Sequence, residues 1–315
     1  MKDTKNLLAH LSMFLACAIW GLMAPLGKDA MVNGISGIDM VTFRVCGAAL
    51  CFWVTSLFTK REEVAPHDML LFFFAGMLSI VFNQCCYTIG LSLTAPTNAS
   101  IITTTMPIIT MLLAAIFMKE PITGKKVAGV ALGVVGALML INGSAQAVSD
   151  KNGNLLGDVL CLAAQTCFAI YLTIFGKLIA RYSAITCMKW MFTFASLAIV
   201  PFSYQSVMSI PFAEIAAKTW VETFFVVFCA TYVAYILMMN GQKNLRPTIV
   251  STYNYVQPTV ACVVSVAVGQ SLFGLDKAIA MVLVFSGVWF VTKSKSRKQL
   301  EAEMKTQKTV SDGNE

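Results

Sequence analysis

The chain has 315 residues, of which 57 % are hydrophobic and only 12 % charged, with a formal net charge of +7 and a mean hydropathy of +0.72. A soluble chain keeps about a quarter of its residues charged. So much apolar surface exceeds what one water-facing core can hide, which excludes an ordinary soluble enzyme or binding module and makes lipid the solvent.

A helix crossing a hydrocarbon layer about 30 Å thick needs roughly 20 apolar residues. Stretches of that kind run over 7–28, 38–58, 68–93, 96–118, 125–143, 155–179, 184–204, 219–243, 248–270 and 275–293. They predict an all-α integral membrane protein of ten transmembrane helices, with a short N-terminus (1–6), a linker (144–154) and a polar tail (294–315). No connection is long enough for a separate catalytic domain. Span 1 follows Lys2 and Lys5, yet it is too long for a signal peptide, lacks a small-residue cleavage pattern and precedes further spans. All ten cysteines fall within the apolar stretches and none forms a CxxC pair. They read as buried packing residues, with no disulfide framework, metal site or cofactor expected.

Taken in chain order, the spans carry a sparse polar set. Span 1 holds Trp20, span 2 Arg44, and span 3 Asn83, Gln84 and Tyr87. Span 4 holds Ser100, Thr103, Thr104 and Pro107, and span 5 opens after Glu120-Pro121 with Gly129-x-x-x-Gly133 inside it. Span 6 carries Tyr171, span 7 Lys189, span 8 Tyr232 and Tyr235, and span 9 Asn254, Tyr255, Gln257 and Pro258. Apolar walls with a few placed polar groups are what small-molecule pockets use; each residue singly has the alternative of hydrogen-bonding a neighbouring helix. As a set they predict a cavity for neutral or zwitterionic solutes.

Arg44 and Lys189 are intramembrane cations, which either snorkel to the headgroups or face a cavity where they meet an anionic group. Glu120 reads as a cap for the free N–H groups opening span 5. Gly129 and Gly133 give a small face for close helix approach, within the subunit by default or at a homodimer contact. Asp39, Asp158 and Glu222 all sit near span ends, so no carboxylate is expected deep in the bundle, and the coupling ion stays open.

The halves match at one offset of 151 residues. Pro96-Thr97-Asn98-Ala99-Ser100 aligns with Pro247-Thr248-Ile249-Val250-Ser251, and Ala18-Ile19-Trp20 with Ala169-Ile170-Tyr171. Pro107 aligns with Pro258, Gly90 with Gly241, and Gly136 with Gly287. Five helices per copy, an odd number, make the second copy enter the membrane upside down, and inverted repeats are a recurring transporter plan. From Pro96 to Pro107 the helix rises about 16 Å, half the hydrocarbon core, and Pro258 reaches the same depth from the other side. Each proline frees the carbonyl four residues earlier, Thr103 or Asn254. Hinging or substrate binding on one hand, and packing kinks on the other, are both open readings.

With the N-terminus inside, the outer connections carry only Lys28, Lys151, Lys218 and Lys277, while the inner connections and the tail hold nearly all other Lys and Arg. This places both termini in the cytoplasm. The positive charge is thus a topology signal rather than a nucleic-acid footprint, and Lys295, Arg297 and Lys298 sit where anionic lipid lies.

These motifs resemble the drug/metabolite transporter superfamily, in particular its EamA-type exporters. The likeness rests on Trp20-Gly21, on Ala95 to Ser100 running to Met106-Pro107, and on Glu120-Pro121 followed by Gly129, Gly133 and Gly136. The sequence departs from that pattern at Ser271, opposite Glu120, and at Phe168-Ala169, where Trp-Ala is usual. The resemblance implies alternating-access export of metabolites, amino acids or drugs from the cell, in the plasma (inner) membrane. A broad-specificity drug exporter is the alternative within transport. An intramembrane enzyme lacks a catalytic set, since His10 and His67 lie near span ends and HExxH and GxSxG are missing; a receptor has no use for the repeat.

Overall fold

The computed structural model describes residues 2–94, 96–145, 155–267 and 274–295. Ser271, most of the 144–154 linker, the tail beyond Lys295 and the Ser100 side chain lie outside that description.

Local signals start the helices where the sequence provides them. After α1 (Lys2–Val32), α2 (Gly37–Leu57) opens on a capping box, Ser36 Oγ accepting from Asp39 N while the Asp39 carboxylate takes the Ser36 N–H. Helix α3 (Pro66–Gly76) begins on a proline, whose missing N–H costs nothing in a first turn. It runs through a π-helical turn at Met77–Phe82 into α4 (Asn83–Leu93). Helix α5 (Pro96–Thr103) and α6 (Met106–Phe117) are separated at Thr104 and Thr105, whose N–H groups reach back only three residues, to the Ile101 and Ile102 carbonyls. Helix α7 (Gly124–Ala145) completes this half.

The second half repeats these irregularities. It runs through α8 (Leu155–Ile174), α9 (Gly176–Ile179), and α10 (Ala184–Met208), the last capped by Ser183 Oγ on Thr186 N. Helix α11 (Ala217–Phe224) passes through a π-helical turn at Phe225–Val233 into α12 (Ala234–Asn244). Helix α13 (Pro247–Thr252) tightens to a 3₁₀ turn at Tyr253–Tyr255 before α14 (Val256–Ala267), and α15 (Leu275–Thr292) closes the bundle. Both proline-bearing spans thus leave α geometry just before Pro107 and Pro258.

Seven helical runs among the described residues are long and apolar enough to cross a membrane: Thr4–Val32, Gly37–Leu57, Pro66–Leu93, Leu155–Ile174, Ala184–Met208, Ala217–Asn244 and Leu275–Thr292. Ile101–Phe117 is a shorter apolar helix. The expected spans at 125–143 and 248–270 are not among the seven. Each runs into residues whose side chains are not described, and the second is also broken by its 3₁₀ turn. The protein is therefore a multi-pass, all-helical membrane protein, with ten crossings an expectation. Phe58, Leu197, Phe202 and Trp289 stand exposed on its outside, as suits side chains solvated by lipid.

Packing between the halves is reciprocal. Helix α1 packs on α12 and α14, while α8 packs on α4 and α6; α2 pairs with α10, and α7 with α15. In lipid, close approach of small residues drives such contacts, and the matched glycines sit at them. A Cβ on Gly90 would come within 2.8 Å of Gly157 O on α8, and one on Gly241 would strike the Met13 side chain on α1. A Cβ on Gly129 would come within 2.7 Å of Gly287 O, and one on Gly133 would strike the Tyr255 ring. The small-residue face of α7 is consumed inside the subunit, against α15 and Tyr255, and does not offer itself to a second copy.

Candidate functional site

Two of the irregular helices aim their next residues inward. A π turn adds one residue to the ladder and so rotates the side chains beyond it by about 100°. Asn83 and Gln84 come directly after the first π turn, and Ala234 and Tyr235 after the second. Gln84 and Tyr235, separated by the 151-residue offset, hydrogen-bond each other: Gln84 Nε2 donates to Tyr235 Oη at 3.0 Å.

Around that pair lies a cavity of about 80 Å³, room for a handful of waters. It is lined by Trp20, Asn83, Gln84, Tyr87, Thr103, Tyr235, Asn254 and Gln257 from the expected set, together with Arg44. Met23, Met106, Gln165 and Phe168 complete the wall. Thr103 and Asn254 are offset partners, as are Met106 and Gln257, so both halves build it with equivalent positions.

Most of the wall is held in place by hydrogen bonds. Trp20 Nε1 donates to Ala230 O at 2.9 Å, turning the ring edge-on to Tyr235. Asn83 Nδ2 donates to Ala164 O at 2.9 Å, and Gln257 Nε2 to Asn254 Oδ1 at 3.1 Å. Asn254 Nδ2 in turn meets Met106 Sδ, while Cys17 Sγ lies 3.8 Å from its Oδ1. Gln84 and Arg44 each keep unused capacity. Among the described residues Gln84 Oε1 is buried without a partner, and Arg44 has no carboxylate. Arg44 is only 3 % exposed, and its Nε donates to Thr231 Oγ1 at 3.0 Å. That hydroxyl spends its own proton on Val226 O at 2.8 Å, inside the second π turn.

Other expected residues lie elsewhere. Thr104 Oγ1 is tied to its own helix at Ile101 O, 2.6 Å away. Tyr171 is buried behind Phe168 and donates to Gln242 Oε1 at 3.1 Å. Tyr255 turns away from the cavity onto Gly133, its Oη reaching Val130 O at 3.3 Å. Tyr232 shares a hydrogen bond with Thr55. Lys189 lies outside the wall, its Nζ 4.7 Å above the Trp53 ring and 5.4 Å from that of Trp190. All ten cysteines are free.

Glu120 meets side chains, not the backbone N–H groups of the next helix. The helix begins at Gly124, beyond the reach of Glu120, and Thr123 Oγ1 takes the Lys126 N–H instead. The Glu120 carboxylate binds Lys126 Nζ at 3.3 Å, Arg246 Nη1 at 3.2 Å and the Thr248 hydroxyl at 2.8 Å. Arg246 also donates to Ser294 O at 2.7 Å. One carboxylate thus ties the first half to α13 and the end of α15. A second tie at the same end joins Asp68 to Arg181 at 2.9 Å and to the Tyr182 hydroxyl at 2.7 Å.

Sequence reasoning passed over Met23, Met106, Gln165 and Phe168. Gln165 carried a usable signal, being a rare amide in the middle of an apolar span. The other three are apolar and look no different from lipid-facing neighbours.

Amides, phenols and one guanidinium line a space between two packed halves of a membrane bundle, a polar interior of the kind a membrane transporter needs. Comparison with known proteins leads to the same class: the EamA-like transporter family matches residues 7–142 and again 155–293, and the chain belongs to that family. It is 22 % identical to the transporter YyaM of Bacillus subtilis over 80 % of this chain and 85 % of that one. It is 24 % identical to YetK of the same organism, covering 93 % and 89 %, and 24 % to a WAT1-related protein of Arabidopsis thaliana, covering 96 % of each. A chain of known crystal structure superposes with a TM-score of 0.70 at 17 % identity, covering 93 % and 97 %, which shows a shared fold.

Proposed function

We propose that the protein is a secondary transporter that exports small metabolites, amino acids or related neutral and zwitterionic solutes, by alternating access. The observation that carries this reading is the cavity built from offset partners, Gln84 with Tyr235, Thr103 with Asn254 and Met106 with Gln257. Equivalent positions from two inverted copies give a site that can open to either side by the same motion. Pro107 and Pro258, each just after a break in α geometry, supply the hinges. Opening toward the end that carries Glu120 would part it from Arg246 and Asp68 from Arg181, so those pairs close that side. The Lys and Arg distribution supports a cell-membrane protein with both termini in the cytoplasm, making this the cytoplasmic gate.

Counterflow in proteoliposomes of the purified full-length protein tests the reading. Saturable exchange of one class of small metabolite is the expected result. Passage of no solute of any class would overturn it, and weak uptake of many lipophilic cations would replace it with a broad-specificity drug exporter.

A further inference from the structure

The buried guanidinium in the cavity has no counter-charge among the described residues, and a cation at membrane depth is retained where it meets a partner. Arg44 is 3 % exposed and lines the cavity, and the wall around it includes no Asp or Glu. Its Nε is spent on Thr231, which leaves the two terminal nitrogens as donors in a fork that fits a carboxylate. In the same wall Gln84 Oε1, on a side chain 2 % exposed, has no donor among the described residues. Trp20, Met23 and Phe168 supply apolar surface to the cavity.

Resting on the transporter reading, we infer that Arg44 is the anchor for a carboxylate on the transported solute. The solute is a small amphipathic monocarboxylate, its apolar body against Trp20, Met23 and Phe168. Its N–H donor reaches Gln84 Oε1 once the cavity widens around it. Binding then supplies the charge and the proton that the empty site lacks. A lipophilic cation is excluded, because it would bring a second positive charge beside Arg44 with no anion to offset either. Lys189 has no part in this, since its charge already rests on two indole rings outside the wall.

The test uses a small panel of paired acids and amides. Thermal unfolding of the purified full-length protein is followed with L-leucine, L-phenylalanine, L-glutamine and 3-phenylpropionate, and with the amide of each. The three amino acids are expected to raise the wild-type midpoint, 3-phenylpropionate, which keeps the carboxylate but has no N–H for Gln84, to raise it less, and the amides to leave it unmoved. Arg44→Gln should abolish the acid-dependent shift, at least a tenfold loss of affinity, without lowering the midpoint of the empty protein; Arg44→Lys should keep part of the shift. A merely structural arginine would instead lower the empty midpoint and leave the acid shift intact. Equal shifts with acids and amides, an unchanged response in Arg44→Gln, or no shift with any acid would overturn the inference. The acid–amide comparison on wild type stands even if the variant fails to fold. Counterflow separates the two levels: amides or amines exchanging while acids do not would sink the carboxylate anchor and leave a transporter. Acids binding through Arg44 with no solute crossing would sink transport and leave the anchor.

Discussion

Two buried cations in this protein are treated in opposite ways. Lys126, 1 % exposed, sits at one end of the bundle with Glu120 at 3.3 Å and the Pro121 carbonyl at 2.9 Å. Arg44, 3 % exposed, sits in the cavity wall with a threonine hydroxyl and, among the described residues, no carboxylate. The desolvation cost is similar in kind at both places. At the end of the bundle the fold offsets it with its own anion, and the resulting cluster joins three helices. In the cavity no described residue offsets it, and on the proposed reading an occupant would. If the proposal holds, the paired buried charge is a fastening and the unpaired one a binding site.

That contrast can be broken most directly at the paired site. Glu120→Ala leaves Lys126 and Arg246 facing each other without an anion, and should cost about 3 kcal/mol or more of stability, measured by reversible unfolding in mixed micelles. A cost under about 1 kcal/mol would mean the cluster is a solvated surface feature. Arg44→Gln should do the reverse, with no loss of stability and at least a tenfold fall in carboxylate counterflow, about 1.4 kcal/mol in binding. If both variants lost stability equally, the distinction between fastening and binding site would fail.

Smaller effects sharpen the comparison. Pro107→Ala and Pro258→Ala restore an N–H at each helix break and should slow exchange about threefold while leaving solute affinity in place. Turnover equal to wild type would remove the hinges from the mechanism. Lys189→Gln, the cation outside both regions, should change stability by about 0.5–1 kcal/mol through its lost indole contacts and leave counterflow untouched. Smallest is the pH response of Glu62, in the connection before α3. Burial pushes its pKa up, but hydrogen bonds from the Thr186 hydroxyl and from the Ser183 N–H and hydroxyl outweigh it and hold it below the usual value. Its stabilising contribution is therefore present above the ordinary glutamate pKa of about 4.3 and lost as pH falls through the lower folded value. The melting midpoints of wild type and Glu62→Gln should converge on acidification; a gap that widened would reverse the sign.

Much of the site was legible because it rests on rare residues. In a chain with so few polar groups inside apolar runs, Asn83, Tyr87, Tyr235, Asn254 and Gln257 stand out, and all five line the cavity. Tyr171 and Tyr255 stand out equally and do not line it. Which way a tyrosine faces depends on the angle of its helix, and here on a glycine across the way, Gly133, that makes room for the Tyr255 ring. The π turns had no signal in the residues of Met77–Phe82 or Phe225–Val233, since an inserted ladder position is a compromise between packing on both sides of a helix and not a local preference.

The sequence by itself determined that lipid is the solvent, that the chain repeats at a 151-residue offset with matched glycines and prolines, and that Pro107 and Pro258 interrupt their helices at matching depth. Those follow from composition and backbone chemistry, which act locally. Only the tertiary structure decided that Glu120 belongs to Lys126, Arg246 and Thr248, that the Gly129–Gly133 face is used within the subunit, and that Arg44 rather than Lys189 lines the cavity. The physical reason is that a buried charge is defined by what lies across from it, and here Arg44 meets Thr231 and Glu120 meets Arg246 and Thr248 only once the two halves pack.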